Sequence, residues 1–126
     1  GDAAGLPYPN GAFDLVFQMT VVSTVLDPDC RTAIAREMCR VLRPGGAIVW
    51  YDLGVGSPGN HGVRPGDRAE LRALFPGASV EATRVTLMPP LARLTTRRSW
   101  LLAELLSALP FLRTHLLAAI QPGPPA

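Results

Sequence analysis

Between Phe13 and Asp52 the apolar residues change their spacing twice. Phe13–Met19 is a nearly continuous apolar run, interrupted only by Asp14 and Gln18, and it reads as a strand covered on both faces. Asp27-Pro28-Asp29 then carries the signals of a helix start. A carboxylate accepts from free backbone N–H groups, a proline has its φ already helical, and a second acid faces the positive end of the dipole. Ile34, Met38, Val41 and Leu42 follow at helical spacing on one face, leaving Arg31, Arg36, Glu37 and Arg40 as the polar remainder. Pro44 cannot continue a helix and Gly45-Gly46 permits positive φ, so the chain is expected to reverse into a second buried strand, Ala47–Leu53. Strand, crossover helix and strand make a βαβ unit, with parallel strands and a right-handed connection.

Beyond Leu53 the pattern loosens. Gly54-Val55-Gly56-Ser57-Pro58-Gly59 matches G-x-G-x-x-G after a strand. Pro58, Asn60, Gly62 and Pro65 deny the helix whose N-terminus would hold a pyrophosphate, so this is a flexible loop rather than a dinucleotide site. Asp67-x-x-Glu70 is a capping box for a helix carrying Leu71, Leu74 and Phe75 and ended by Pro76-Gly77. Ser79–Leu87 alternates as a strand and stops at Pro89-Pro90. Arg97-Arg98 leads into a helix over Trp100–Leu109, with Leu101, Leu102, Leu105, Leu106 and Leu109 sharing a face. Thr114–Ile120 reads as a last strand carrying His115 on a sheet face or in the core, and 122–126 as a frayed tail.

The chain has 126 residues, enough for one domain, placed at 1–121, and not for two. Apolar residues at 48% and charged residues at 17% mark a globular chain rather than a disordered one. A net charge of +2 announces neither a nucleic-acid nor a membrane partner. The longest apolar stretch, Trp100–Leu112, is broken by Glu104 and Pro110 and falls short of the roughly 20 residues that span a bilayer. Cys30 and Cys39 sit on opposite faces of the first helix, about 13 Å apart by helical rise. A disulfide needs Cα atoms within roughly 7 Å, so both read as free thiols in a reducing cytoplasm.

Five stretches in order carry a family resemblance: G-D-A-A-G-L-P-Y-P-N-G-A-F-D-L-V from Gly1, E-M-C-R-V-L-R-P-G-G from Glu37, the loop Ser57–Arg64, Phe75-Pro76-Gly77, and Phe111–Gln121. Together they resemble the second half of a class I S-adenosylmethionine-dependent methyltransferase of the kind that modifies small molecules. The resemblance covers nearly the whole chain. It implies an α/β fold, the distal half of a Rossmann-like methyltransferase sheet, with parallel strands, a final antiparallel strand and helices on both faces. The chain begins inside the family pattern, so the resemblance implies a fragment without the Gly-rich cofactor loop and the ribose-binding acid. Alone, it is expected to bind S-adenosyl-L-methionine weakly or not at all.

The same resemblance suggests site residues. An acid in the place of Asp2 accepts from the adenine amino group and the backbone of Ala3 reaches an adenine ring nitrogen, while chemistry alone reads Asp2 as the cap of the following turn. Leu6 would line the adenine pocket, and Tyr8 packs. Gln18, Met19 and Thr20 leave the carboxyl end of the first strand, where open α/β sheets bind ligands, and are the candidates for the methionine part. Where many relatives carry a His pair this chain reads Ser23-Thr24, so no role of those histidines carries over. Asn60, His61 and Arg64 on the later loop either orient a substrate hydroxyl, with His61 as its base, or are solvated polar residues. Transfer from a sulfonium is a direct in-line displacement, requiring neither metal nor covalent intermediate. Two other readings remain beside a small-molecule methyltransferase: a non-catalytic methyltransferase-like assembly module, and a nicotinamide-dependent enzyme, which the misplaced G-x-G-x-x-G disfavours.

Overall fold

A computed structural model of the chain describes residues 1–56 and 61–123. Strand β1 is Phe13–Met19 and helix α1 is Pro28–Val41, with the Asp27 side chain accepting from the Asp29 N–H as its N-cap. Strand β2, Leu42–Leu53, begins directly at the end of α1 and pairs parallel with β1. The expected strand Ala47–Leu53 is thus longer at its start, and Gly45 takes φ +79° within the register break between the Phe13–Leu42 and Leu15–Ala47 pairs. Gly46 serves a different need: a Cβ there would stand 2.7 Å from the Asp14 carbonyl oxygen and 2.8 Å from Leu42 Cδ1.

Helix α2, Arg68–Leu74, is capped by Asp67, whose Oδ1 accepts from the Glu70 N–H at 2.8 Å. Only half of the expected capping box forms, because the Glu70 carboxylate is engaged by Arg31 instead. Strand β3 is Ser79–Leu87 and β4 is Arg113–Gln121. The sheet order is β1-β2-β4-β3, with β4 antiparallel to both neighbours. Between β3 and β4 lie α3, Pro89–Thr96, and α4, Trp100–Ser107. Pro89-Pro90 therefore ends the strand and also opens a helix, since proline fits the first helical turn. The leucine face of α4 is largely open, with Leu101, Leu102 and Leu105 exposed and Leu106 half-buried.

One face of the sheet is closed. Ile34, Ala35 and Met38 of α1 and Leu71 of α2, with Phe75 just past it, cover Ile48 and Trp50 of β2 and Leu116, Ala118 and Ile120 of β4. Trp50 and Phe75 meet edge to face with centroids 6.0 Å apart, a contact that adds about 1 kcal/mol to the area they bury. Two expectations are corrected here. β1 is an edge strand, not one covered on both faces: Leu15, Phe17 and Met19 are 56, 57 and 52% exposed, while the polar Gln18 is buried. Arg31 does not lie on a polar face but is 1% exposed, because its guanidinium bridges α1 to Glu70 of α2. Asp14 pairs with Arg43 at the far end of β1, and Tyr8 packs edge to face on Phe13 at 5.0 Å. Cys30 and Cys39 are free thiols. Of the tail expected at 122–126, only 122 and 123 lie within the described residues, and Pro122 is half-buried.

Candidate functional site

The carboxyl ends of β1 and β2 lie side by side, with Met19 opposite Tyr51. The ladder runs one residue further, as the Thr20 N–H donates to the Tyr51 carbonyl at 2.8 Å. There the chain turns out of the sheet, with Thr20 at φ +52°. A β-branched residue in that region costs on the order of 1 kcal/mol or more, which the surroundings must offset. Gln18 supplies the restraint. Its Nε2 donates to Asp52 Oδ2 at 2.9 Å, and its Oε1 accepts from the Val21 N–H at 3.2 Å, across the turn. Asp52, 2% exposed, also accepts from the Ser23 N–H at 3.0 Å and the Leu53 N–H at 2.8 Å. Two strand ends and the short helical turn Val22–Thr24 are thereby pinned to one carboxylate.

Of the three residues proposed for the methionine side, Met19 and Thr20 stand exposed at this end, while Gln18 lies behind them with both amide atoms engaged. The adenine candidates are held elsewhere. Asp2 is exposed, its Oδ1 accepting from the Ala4 N–H at 2.9 Å, so it caps its turn, and its Oδ2 makes no hydrogen bond among the described residues. Ala3 packs against the core. The Leu6 N–H donates to Glu37 Oε2 at 2.8 Å, and its side chain lines a hollow of about 220 Å³ beside Phe13, Leu15 and Val41. Arg40 completes a clamp, reaching the carbonyls of Leu6 and Tyr8, Asn10 Oδ1 and both oxygens of Glu37. Its hydrogen bond, with that of the Leu6 N–H second, lowers the Glu37 pKa to about 2. No hydrogen bond joins the Asp2–Leu6 set to Gln18–Thr20 among the described residues.

The later loop is described in part. Asn60 and the rest of 57–60, including the end of the G-x-G-x-x-G match, lie outside the described residues. His61 is exposed on a turn and makes no hydrogen bond or ion pair among the described residues. Arg64 ties this segment to the strand ends, its N–H donating to the Ser23 carbonyl at 2.8 Å. Arg31 holds the same region from beneath, with Nη1 on the Arg64 carbonyl at 3.2 Å and Nη2 on Glu70 at 2.8 Å. Burial lowers the Arg31 pKa and Glu70 opposes that shift. Asp52 and Arg31 are the residues that reading the sequence missed. A lone carboxylate inside the apolar run Ala47–Leu53 was the available signal for Asp52, and none marked Arg31.

A family model described as a methyltransferase domain matches residues 1–50. Ajmaline N-methyltransferase of Rauvolfia serpentina is 35% identical over 102 residues, covering 72% of this chain and 32% of that protein. Over residues 1–50 the chain matches the methyltransferase-domain family, and its fold matches part of S-adenosylmethionine-dependent methyltransferase structures. Norajmaline N-methyltransferase of the same plant is 34% identical over 76 residues, 59% of this chain and 25% of that protein. Among solved structures, a SAM-dependent methyltransferase from Archaeoglobus fulgidus superposes with a TM-score of 0.67 at 13% identity, over 96% of this chain and 65% of that one. A methyltransferase of Methanosarcina mazei gives 0.65 at 16%, over 97% and 65%. The chain thus spans about a third or less of the curated relatives it matches, and about two thirds of these structures. The four-stranded mixed α/β sheet is part of the family fold.

Proposed function

We propose that the protein serves the transfer of a methyl group from S-adenosylmethionine to a small-molecule acceptor. The observation that carries this reading is the pinned strand end, where Gln18, Asp52 and Ser23 hold Thr20 at φ +52° and leave Met19 and Thr20 exposed. A preorganised, partly apolar rim at the carboxyl ends of parallel strands suits the methionine side of the cofactor. An exposed carboxylate with one oxygen free, at Asp2, suits an amino group of adenine, with Ala3 and Leu6 beside it. The donor set therefore fits one flank of S-adenosylmethionine. When bound, that cofactor supplies a methyl group on a sulfonium. The chain's own part is positioning: Gln18 fixes the turn, Met19 and Thr20 line it, and His61 takes the proton of an oxygen or nitrogen acceptor. Among the described residues no helix opens on Gly54–Gly56, the next one starting only at Arg68, so on this reading the polypeptide by itself grips the cofactor weakly.

Calorimetry with S-adenosylhomocysteine tests this. Weak binding, diminished in Asp52→Asn and stronger than that of adenosine, is the expected outcome. Tight binding contradicts the weak grip, and no preference over adenosine contradicts a methionine-side wall.

A second reading, the non-catalytic assembly module, is favoured by the open row of Leu15, Phe17 and Met19 on β1. It predicts that no methyl transfer is detected with or without His61, while Phe17→Lys changes the sedimentation of the protein.

A further inference from the structure

Beyond the cofactor flank, a cavity of about 520 Å³ opens where the chain leaves β2 at Gly54, between the start of α2 and the paired strands β3 and β4. Arg68, Arg84 and Arg113 line it, against one carboxylate, Asp67, whose Oδ1 already caps α2. None of the three arginines is within ion-pairing distance of a carboxylate among the described residues. Arg113 is fixed in place, with Nε on the Ser107 carbonyl at 2.7 Å and Nη1 on the Arg84 carbonyl at 3.1 Å. Arg68 is anchored through Nη2 to the Ala82 carbonyl. The Arg84 guanidinium lines the cavity and makes no hydrogen bond among the described residues. Leu116 and Pro110 give the cavity an apolar wall.

The geometry points to a site for a small molecule with an apolar body and an oxyanion, carboxylate or phosphate, received by Arg84 and flanked by Arg113 and Arg68. The volume is that of a ligand pocket rather than of a single ion. Planar guanidiniums held by backbone carbonyls match an oxyanion with paired hydrogen bonds. They repel an ammonium. On the methyl-transfer reading, on which this step rests, the occupant is the acceptor, entering beside the strand ends through Gly54. The acceptor then differs in charge from a basic amine.

The test uses the whole chain and four probes: phenylacetate, phenyl phosphate, phenylacetamide and 2-phenylethylamine. Isotope-resolved NMR titration is expected to show one or both anions binding, with shifts at Gly54, Arg84 and Leu116. The neutral amide and the amine should not compete. Arg84→Gln should weaken the anions roughly tenfold while leaving the folded spectrum and S-adenosylhomocysteine binding unchanged. Raising salt should weaken the anions further. Because Arg113 braces the backbone, Arg113→Gln is read only alongside its melting temperature, and Arg84→Gln decides. Equal binding of amide and anion, no anion binding, or an Arg84→Gln variant that binds as well as the parent overturns the proposal. Anion binding at Arg84 while saturating S-adenosylhomocysteine shifts only residues away from Met19–Val21 and Asp2–Leu6 leaves the site standing and removes the methyl-transfer reading instead.

Discussion

The amide nitrogen of Gln18 lies 2.9 Å from Oδ2 of Asp52, joining the ends of two parallel strands through a bond that is buried. Asp52→Ala leaves Gln18 Nε2 and the Ser23 N–H dry, at about 1–3 kcal/mol for each donor. Urea unfolding should show a loss in that range or above it. The double variant Gln18→Leu/Asp52→Ala should cost less than the two singles added, since the residues share one network.

Arg31 and Glu70 form the second link, 2.8 Å apart, with Arg31 1% exposed and Glu70 half-buried. Glu70→Gln leaves a buried guanidinium without its counter-charge; because Glu70 is only half-buried, the cost should fall below the about 3–5 kcal/mol of a fully buried pair. Arg31→Met/Glu70→Gln should recover part of that loss, since it removes the stranded charge. Chemical unfolding of the three variants measures it.

Glu37 sets an acid limit on the clamp around Leu6. Its pKa is lowered from 4.5 to about 2 by Arg40 and the Leu6 N–H. The unfolded carboxyl therefore binds its proton first. Stabilisation by the clamp is complete above the unfolded pKa and fades as pH falls toward about 2. The stability difference between the parent and Glu37→Gln should be full at pH 6 and shrink steadily below pH 4.5. Urea midpoints across that range check it.

Gly46 is required for space rather than for conformation. A Cβ would stand 2.7 Å from the Asp14 carbonyl oxygen and 2.8 Å from Leu42 Cδ1. Gly46→Ala should lower stability by about 1–3 kcal/mol, as overpacking does, with thermal melting as the readout. Gly45, at φ +79°, has no such neighbour, so its replacement strains the backbone alone.

The frame was legible where one cause dominates. Asp27-Pro28 fixes the start of α1, and the spacing of Ile34, Met38 and Val41 fixes its buried face. Parallel pairing followed from the crossover helix, and the antiparallel last strand from the family resemblance. What escaped depends on partners distant in sequence. Phe13–Met19 has the composition of a covered strand, but among the described residues β1 pairs only with β2, and composition does not count neighbours. Arg31 looked polar-faced because Glu70, which makes its burial tolerable, lies 39 residues away. Pro89-Pro90 has two meanings, and only the strand stop was read. For the site, Met19 and Thr20 were visible as a strand end, whereas the carboxylate that holds them was not. That role belongs to Asp52 only once β2 is placed beside β1.

The most direct test of the central claim is a residue-resolved NMR titration of the chain with S-adenosylhomocysteine. The account predicts weak, fast-exchanging binding with shifts concentrated at Met19, Thr20 and Val21 and at Asp2–Leu6, reduced in Asp52→Asn. Shifts confined to the β3–β4 side, or an undisturbed Met19–Val21 turn at saturating ligand, would contradict it.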